Sequence, residues 1–472
     1  MPSFDVPKQI FREYDIRGIA DQHLSSELFR GLGRAFVALF PESARRKVKV
    51  ALGRDCRLSS PRLYEALLDG LLTAGLDVVD IGVGPTPQLY FAVHHLEVDG
   101  GLMITGSHNP APENGVKMLR RTGSIYGEEI QTLRAHVEAE DVPAAKVRGT
   151  LEHKDVVPAY VAHVKGNIRL PRIDFPVVLD AGNGSGGPLA LATLKALGLE
   201  PVALHCDMDG TFPNHHPDPT QPENVEELIA TVKKTGARVG LAFDGDADRL
   251  GAIDADGSIV WGDRLLTLFA RDILRDHPGG AILGEVKCSQ TLYDDIAKHG
   301  GRPILWKTGH SLIKAKMKEE KALLAGEMSG HLFFADRYFG FDDAIYAACR
   351  LIEILAREGK SIGELLADLP PTFVTPEIRV DCPDAIKFAL VEQVKKHFQA
   401  QIGEQVAGMK VREVIEVDGA RVVFDHGWGL VRASNTQPVL VVRFEADTVE
   451  RRDAIQAAVQ GVIDRTRATL PA

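Results

Sequence analysis

The chain has 472 residues, which is long for one hydrophobic core and predicts about three or four domains. Hydrophobic residues make up 44% of the chain and charged residues 25%, values typical of a globular protein. The net charge of −10 argues against a nucleic-acid partner or an anionic membrane surface. An anionic substrate would therefore need cations that are clustered locally.

Other features of the sequence predict a soluble protein of the cytoplasm. The five cysteines are scattered and none belongs to a C-x-x-C pair, so we expect free thiols in a reducing compartment. Residues 1–10 contain charges and prolines instead of a long apolar core, so we expect no signal peptide. No apolar run has the length of a membrane span, and we expect no membrane partner.

The first predicted elements alternate between strands and helices. Residues 11–18 form an aromatic and charged cluster in which Tyr14 and Arg17 are candidates to contact a phosphate or a sugar. A structural N-terminal strand with surface charges explains the same residues equally well. Farther along, apolar runs predict strands that alternate with helices beginning near Ser60 and Thr86. This β-α-β-α-β order is typical of a mostly parallel sheet.

A short apolar strand leads into Thr-Gly-Ser-His-Asn-Pro at 105–110, here called the Ser107 loop. We expect Gly106 to free the backbone for a tight turn and the Asn-Pro pair to stop a helix from following. A serine hydroxyl held at a strand end, beside His108 and backbone donors, is a candidate to carry a covalent group. The hydrolase pattern Gly-x-Ser-x-Gly does not match. Lys117 adds a nearby cation, and an ordinary polar turn with an incidental serine is the alternative.

A glycine-rich turn follows the predicted strand at 177–180. Gly182, Gly184 and Gly187 satisfy G-x-G-x-x-G, and Asp207 lies about where a ribose-binding acid would lie. A dinucleotide site is therefore one interpretation. The interpretation we favour is a glycine-rich turn into a well-packed helix.

Two adjacent histidines, His215 and His216, lie among several prolines at 212–219. The prolines predict an irregular loop. We interpret this loop as structural and not as a metal site.

A buried strand precedes Asp-Gly-Asp-Ala-Asp-Arg at 244–249, here called the Asp loop. The carboxylates of Asp244, Asp246 and Asp248 alternate along a tight turn and can face one point, which suits a hard cation. An EF-hand is excluded because its sixth position is Arg249 instead of glycine. A phosphatase-like Asp-x-Asp-x-Thr loop also fails, because the fifth position is Asp248. The pattern predicts a magnesium site with open positions for a phosphate oxygen, and a solvated acidic turn is the alternative.

The third part of the chain contributes basic residues and a further polar loop. Lys287 and His310 each follow a predicted strand, although either residue alone is more typical of a protein surface. Gly-Glu-Met-Ser-Gly-His at 326–331, here called the Glu327 loop, crowds a carboxylate, a hydroxyl and an imidazole between two glycines. Glu327 can accept two sugar hydroxyls, and His331 can move a proton near neutral pH. An ordinary glycine turn is the alternative.

The pattern changes after Leu369-Pro370-Pro371. Residues 421–424 and 439–444 alternate like antiparallel strands, and helices are predicted nearby. Arg-Ala-Ser-Asn-Thr-Gln-Pro at 432–438, here called the Arg432 loop, joins two strands. One guanidinium with hydroxyl and amide donors suits a phosphate, and a plain hairpin loop is the alternative.

Three times a short apolar strand ends in a glycine-bearing polar loop, at Ser107, Asp244 and Glu327. In open α/β sheets, ligands bind at the carboxyl ends of the strands. We therefore expect repeated α/β units whose loops face one cleft.

With these loops in hand, the chain resembles the α-D-phosphohexomutase family over essentially its full length. The Ser107 loop resembles that family's phosphoserine loop, and the Asp loop its magnesium loop. The Glu327 loop is similar to the sugar-binding loop in the phosphomannomutase/phosphoglucomutase branch, an assignment that rests mainly on Met328. Residues 432–436 resemble the phosphate-binding loop. All four motifs occur in the family's order.

The resemblance implies three α/β domains with mixed sheets, at 1–153, 154–254 and 255–370, and an α+β domain at 371–472, around a central cleft. It assigns the G-x-G-x-x-G pattern to a structural turn. It implies catalytic roles for Ser107, His331, Lys117, Arg17 and Arg249, metal binding by Ser107, Asp244, Asp246 and Asp248, and substrate binding by Tyr14, His108, Lys287, His310, Glu327, Met328, Ser329, Gly330, Arg432, Ser434, Asn435 and Thr436.

The activity implied is reversible phosphoryl transfer between the 1- and 6-positions of mannose or glucose phosphates. It would use a phosphoserine at Ser107, Mg²⁺, and a hexose 1,6-bisphosphate that also serves as activator. A phosphoglucosamine mutase, a sugar-phosphate phosphatase, an NAD-dependent oxidoreductase and a non-catalytic sugar-phosphate binding protein are the alternatives. The partners expected are small sugar phosphates, without nucleic acid, and we expect a monomer.

Overall fold

The structure is a computed structural model that describes residues 4–435 and 437–470. Four β-sheets follow one another along the chain, each with its own helices. Because apolar runs form the strands and polar residues follow them, each of the first three sheets presents polar loops at one edge. Among the described residues, no helix has the length and apolar character that crossing a membrane requires.

The first unit is a mixed sheet in the order β1-β5-β4-β2-β3-β7, with β6 beside β5. β2 is parallel to β3 and β4, whereas β5 is antiparallel to β4 and β1. Its strands are β1 (Ile16–Ile19), β2 (Lys49–Arg54), β3 (Asp77–Val83), β4 (Gly100–Ile104), β5 (Glu113–Arg120), β6 (Gly123–Ser124) and β7 (Leu151–His153). Its helices are α1 (Ala20–His23), α2 (Ser26–Ala35), α3 (Ser60–Thr73), α4 (Thr86–His95) and α5 (Glu128–Ala139).

The second unit is a five-stranded sheet in the order β12-β11-β10-β8-β9. β10 is parallel to β8 and antiparallel to β11. Its strands are β8 (Val177–Asp180), β9 (Val202–Leu204), β10 (Val239–Phe243), β11 (Leu250–Asp254) and β12 (Ile259–Val260). Its helices are α6 (Val157–Asn167), α7 (Gly187–Ala196) and α8 (Glu226–Thr235). β12 continues this sheet beyond residue 254, and the domain limits drawn from the sequence stay predictions.

The third unit is a four-stranded sheet in the order β14-β13-β15-β16, in which β16 is antiparallel to β15. Its strands are β13 (Ala281–Glu285), β14 (Arg302–Trp306), β15 (Leu324–Gly326) and β16 (Leu332–Phe334). Its helices are α9 (Gly262–Asp276), α10 (Gln290–Lys298), α11 (His310–Glu320), α12 (Ala344–Glu358) and α13 (Ile362–Leu365).

The fourth unit is an antiparallel sheet in the order β17-β23-β22-β21-β20-β19, with β18 also beside β23. Its strands are β17 (Phe373–Val374), β18 (Ile378–Asp381), β19 (Gln405–Val406), β20 (Met409–Ile415), β21 (Ala420–Phe424), β22 (Gly427–Ala433) and β23 (Val439–Ala446). Its helices are α14 (Asp384–Gln399) and α15 (Val449–Thr469). Three α/β sheets followed by an α+β unit confirm the fold class predicted from the sequence.

The hydrophobic cores do not correspond one to one with the four sheets. One continuous cluster joins the first three units and includes Leu89, Leu179 and Leu266. The fourth unit has a core of its own, to which Val422 and Ile455 belong. The first three units are therefore packed as one block, to which the fourth is attached.

Candidate active site

The ends of β4, β10 and β15 bring three loops together, as the sequence predicted. The hydroxyl of Ser107 donates to Asp244 Oδ2 across 3.0 Å. Arg249 Nε lies 3.0 Å from Nε2 of His331, which joins the Asp loop to the Glu327 loop. The three loops therefore contact one another directly and do not merely face a common space.

The Ser107 loop takes its shape from a buried arginine that the sequence analysis missed. The Arg57 guanidinium donates to the carbonyls of Pro110, Glu113, Ser107 and Asn109, at 2.7, 2.9, 2.7 and 2.6 Å. The prediction for Gly106 was wrong, because the left-handed residue of the turn is Ser107, with φ of 49°. Gly106 is needed for space instead, since a Cβ there would lie 2.5 Å from the Arg57 guanidinium.

Glycine also allows the Ser107 loop and the Asp loop to approach each other. A Cβ on Gly245 would lie 2.3 Å from the carbonyl oxygen of Ser107. The carbonyl of Gly245 accepts hydrogen bonds from the backbone N–H and the hydroxyl of Ser185, at 2.9 and 3.1 Å. The G-x-G-x-x-G turn therefore supports the Asp loop from behind, which agrees with its interpretation as a structural turn.

The Asp loop gathers its three carboxylates in the interior. One oxygen from each of Asp244, Asp246 and Asp248 lies within 4.8 Å of the other two. Lys117 donates to Asp246 Oδ2 across 2.7 Å and also to Asp248, while the hydroxyl of Thr86 donates to Asp246 across 2.5 Å. The Oδ1 atoms of Asp246 and Asp248 are buried and have no hydrogen-bond partner among the described residues. Buried carboxylate oxygens of this kind fit a hard divalent cation.

The side chains of this cluster have pKa values that are shifted in different directions. Burial, together with the charges of Asp248 and Asp246, raises the pKa of Asp244 well above its ordinary value. Burial acts the same way on Asp246, but Lys117 and Thr86 outweigh it and hold its pKa below the ordinary value. Burial opposes the charge of Lys117, yet the aspartates raise its pKa. Lys117 therefore stays cationic beside an ionised Asp246.

His331 has a charged side chain beside each ring nitrogen. Arg249 can only donate, so Nε2 of His331 accepts and the proton of a neutral ring lies on Nδ1. Nδ1 lies 3.0 Å from Asp342 Oδ2, and the other Asp342 oxygen accepts from Lys314 across 2.9 Å. Burial acts to raise the pKa of Asp342, but Lys314 and His331 hold it well below the ordinary value. Nδ1 and Asp342 Oδ2 do not have hydrogen-bond geometry, so the Arg249 donor at Nε2 sets the tautomer and the charge of an ionised Asp342 favours a proton on Nδ1.

Two further predicted residues make contacts at the Ser107 loop. Arg17 pairs with Asp15 across 2.6 Å and donates to the Gly106 carbonyl across 2.8 Å. Nδ1 of His108 lies 3.2 Å from Ser107 Oγ. Burial, assisted by the charge of Arg249, lowers the pKa of His108 well below its ordinary value. His108 is therefore a neutral hydrogen-bonding partner of the serine.

The Glu327 loop turns its carboxylate inward. Glu327 accepts from the backbone N–H of Gly309 across 2.9 Å and from the hydroxyl of Ser329 across 3.0 Å. Gly330 has φ of 96°, and a Cβ there would lie 2.4 Å from the carbonyl of Leu250. This close approach aligns the loop with β11.

The remaining residues predicted for the third unit have different surroundings. The imidazole of His310 stacks on His331 with ring centroids 5.7 Å apart. Lys287 is buried and pairs with Glu377 across 3.0 Å. The sulfur of Met328 contacts the guanidinium of Arg443 in the fourth unit. The structure therefore brings His310 to the three loops and places Lys287 and Met328 against the fourth unit.

The Arg432 loop is held to the other units by polar side chains. Arg432 Nε donates to Asp418 Oδ2 across 2.9 Å, and that oxygen also accepts from the Thr308 backbone across 3.1 Å. Asn435 donates to the hydroxyl of Tyr14 across 3.0 Å, which joins the fourth unit to the first. The carbonyl of Ser434 accepts from Lys387 across 2.5 Å. Thr436 lies outside the described residues.

Several residues important to this geometry were not predicted from the sequence. Arg57 and Asp55, which accepts from the backbone N–H of Gly106 across 3.1 Å, follow β2, so the signal used for the other loops, polar residues directly after a buried strand, also applied there. Thr86, Asp342 and Asp418 lie at helix or turn positions that give no such signal. Their importance arises from contacts with loops distant in the sequence.

Four family models match successive stretches of the chain. They are the phosphoglucomutase/phosphomannomutase α/β/α domains I, II and III, at residues 8–143, 158–257 and 261–373, and the C-terminal domain of the same family at 377–462. The matches occur in order and together span most of the chain.

Similar proteins agree with these models. The chain is 45% identical over 466 residues to a phosphomannomutase/phosphoglucomutase of Pseudomonas aeruginosa, covering 99% of this chain and 98% of that protein. It is 45% identical over 459 residues to a phosphoglucomutase of Neisseria gonorrhoeae, covering 97% of each. A crystal structure of a phosphoglucomutase/phosphomannomutase family protein from Burkholderia thailandensis superposes with a TM-score of 0.90 at 42% identity, covering 99% of each chain.

Fold, loop order and these likenesses define an enzyme of the phosphohexomutase class, an isomerase. The chain belongs to the phosphoglucomutase/phosphomannomutase family.

Proposed function

We propose that the enzyme moves a phosphoryl group between the 1- and 6-positions of glucose and mannose phosphates through a phosphorylated Ser107. The observation that carries the proposal is the contact of the buried Ser107 hydroxyl with Asp244, 3.0 Å away, at the edge of a three-carboxylate cluster. A hydroxyl beside a metal-binding cluster and several cations suits phosphoryl transfer.

Asp244, Asp246 and Asp248 would hold Mg²⁺, with the phosphate on Ser107 as a further ligand. Carboxylate oxygens at this spacing, two of them buried without a hydrogen-bond partner among the described residues, fit a hard cation better than an imidazole-preferring metal. When bound, the ion offsets negative charge on the phosphoryl group.

The chain's own residues supply the rest of the transfer. In the forward step the bond between phosphorus and Ser107 Oγ breaks, and a bond forms to a sugar hydroxyl, which loses its proton. Nε2 of His331 is our candidate to take that proton, which requires that Arg249, its hydrogen-bond donor in this structure, first turn to the phosphoryl group. Lys117, Arg17 and Arg249 offset charge, and Lys117 and Arg17 are further candidates for moving the proton.

Substrate binding would divide between the Glu327 and Arg432 loops. Glu327 and Ser329 grip ring hydroxyls, and Arg432 holds the phosphate that is not being transferred, with Lys287 nearby. We assign His108, Tyr14, His310, Met328, Gly330, Ser434, Asn435 and Thr436 to the surrounding binding surface. A hexose 1,6-bisphosphate is then the intermediate, which turns around and returns its other phosphate to Ser107.

An isomerisation assay tests this proposal. Glucose and mannose 1-phosphates should both be converted to 6-phosphates, faster when hexose 1,6-bisphosphate is added as activator. Release of inorganic phosphate without isomerisation would indicate a phosphatase instead. Glucosamine 1-phosphate as the preferred substrate would indicate a phosphoglucosamine mutase.

We predict comparable rates on the glucose and mannose phosphates. Glu327 and Ser329 are proposed to grip hydroxyls that both sugars share, so inversion at C2 contributes little discrimination. The measurement is kcat/KM for each sugar under the same conditions. A preference on the order of a thousandfold for one sugar would contradict this role of the Glu327 loop.

An oxidoreductase is disfavoured because the glycine turn at 182–187 supports the Asp loop. A titration with NAD should therefore show no binding. The monomeric state and the cytoplasmic location expected from the sequence stay predictions.

A further inference from the structure

Two histidines and a buried aspartate meet at the ends of strands of the second sheet, apart from the three aspartates of the Asp loop. Asp180 ends β8, His205 follows β9, and His215 lies in the loop at 212–219. Each offers one ligand atom, and these atoms lie within 4.8 Å of one another. The proposed catalytic chemistry uses none of these three side chains.

The contacts of His215 favour a positive charge at or beside its Nε2, facing Asp180. Nδ1 of His215 lies 3.0 Å from the carbonyl oxygen of His216, which can only accept, so Nδ1 carries a proton. Nε2 lies 3.1 and 3.2 Å from the two oxygens of Asp180. A neutral ring would therefore turn its lone pair toward a buried carboxylate, which is unfavourable. Either a second proton or a metal ion must lie there.

His205 favours the metal ion over the proton. Its ring centroid lies 5.4 Å from that of His215, so two imidazoles face the same region. Its Nε2 lies 2.9 Å from Glu227, a carboxylate that can orient the ring. A second imidazole adds nothing to a proton shared by His215 and Asp180, whereas it completes a set of three ligands.

We propose that Asp180, His205 and His215 form a binding site for a transition metal of the zinc class. Two imidazoles and one carboxylate match the ligands that Zn²⁺ takes in proteins, with a fourth position left for water. Mg²⁺ prefers oxygen ligands, so the Asp loop and this site select different ions. The proposal replaces our interpretation of the loop at 212–219 as purely structural.

The metal would stabilise the loop at 212–219, which contacts the Ser107 loop and the Asp loop. Nε2–H of His216 donates to the carbonyl of His108 across 2.6 Å. The carbonyl of Pro217 accepts from the backbone N–H of Gly245 across 3.1 Å. Binding at His215 therefore stabilises the loop that contacts both the Ser107 loop and the Asp loop, and it should raise the thermal unfolding temperature.

Zinc content and thermal unfolding of the full-length protein test the proposal. The chelator-treated protein is dialysed against Zn²⁺ with Mg²⁺ in large excess, and bound zinc is measured by elemental mass spectrometry. We expect one zinc ion per chain and a higher unfolding temperature. Cobalt in place of zinc should give the absorption bands of an imidazole-ligated ion.

Variants separate this site from the catalytic one. His215→Gln and His205→Gln should each lose the zinc and the thermal shift, whereas Asp246→Asn should keep both. His136→Gln is the matched control, because His136 also pairs with an aspartate, Asp141, across 2.8 Å, but lies elsewhere on the surface. Zinc retained in both histidine variants, zinc lost only in Asp246→Asn, or no zinc in the unmodified protein would each overturn the proposal. None of these results depends on the mutase activity.

Discussion

At the Ser107 end of the cleft, buried and charged side chains join three loops, whereas at the Arg432 end the described contact with the first unit is made by one exposed amide. Ser107, Asp244 and Lys117 are almost fully buried. Asn435, which reaches Tyr14 from the Arg432 loop, is exposed. The first group belongs to units that share a continuous core, and the second belongs to a unit with its own core.

The fourth unit also makes hydrogen bonds to the third. Arg421 donates to the carbonyls of Val286 and Cys288 across 2.7 and 2.9 Å, and Arg443 donates to the carbonyl of Lys287 across 2.7 Å. Its attachment to the first unit includes the side-chain contact between Asn435 and Tyr14. We infer that the Ser107 end is preorganised and that the Arg432 end closes over the substrate by hinging near Leu369-Pro370-Pro371.

A substitution at the Ser107 end of the cleft should cause the largest loss of activity. Asp246→Asn should remove most Mg²⁺ affinity and nearly all turnover, because Asp246 binds Lys117 and contributes an oxygen to the proposed metal site. Calorimetric Mg²⁺ titration and steady-state kinetics measure both quantities. Circular dichroism should show an intact fold. Asp256→Asn, at an exposed turn, is the matched control and should behave as the unmodified enzyme. Full activity of the unmodified enzyme after treatment with EDTA would count against a metal role.

A smaller loss is expected at Asp342, which lies 3.0 Å from Nδ1 of His331 and is proposed to act through it. Asp342→Asn keeps the side-chain volume but removes the charge that holds the Nδ1 proton, so kcat should fall about a hundredfold with KM nearly unchanged. Kinetics across pH provide the measurement. An equal rise in KM would show that Asp342 acts on binding, and unchanged kcat would remove His331 from proton transfer.

A substitution at Arg432 should have the smallest effect of the three substitutions. It should change both KM and kcat. Arg432→Ala should raise KM and lower kcat, together costing about ten- to a hundredfold in kcat/KM, because lost closure weakens positioning as well as binding. Arg432→Lys should restore only part of this loss, since a point charge cannot grip a phosphate with two parallel hydrogen bonds. If Arg432→Ala left both constants unaltered, the fourth unit would have no part in the mechanism.

Features that depend on local sequence could be predicted, whereas features that depend on contacts distant in the sequence could not. The apolar runs at 177–180 and 239–243 gave the observed limits of β8 and β10, because a buried strand depends on local hydrophobicity. The polar loops were found because they follow such strands. Arg57 follows β2 and so carried the same local signal, but its partners, backbone carbonyls of a loop about 50 residues away, could not be predicted from the sequence around it. The turn at Gly106 was misassigned because packing against Arg57, not backbone freedom, requires the glycine there.

The central claim is that Ser107 carries the transferred phosphate. Peptide mass spectrometry of the purified protein should find part of the chain phosphorylated at Ser107, and the phosphate should leave when the protein is incubated with a sugar 1-phosphate or 6-phosphate. Ser107→Ala should lack the modification and lose almost all isomerisation, although its thermal unfolding stays close to that of the unmodified enzyme. Phosphate found consistently at another residue, together with full activity of Ser107→Ala, would contradict the account.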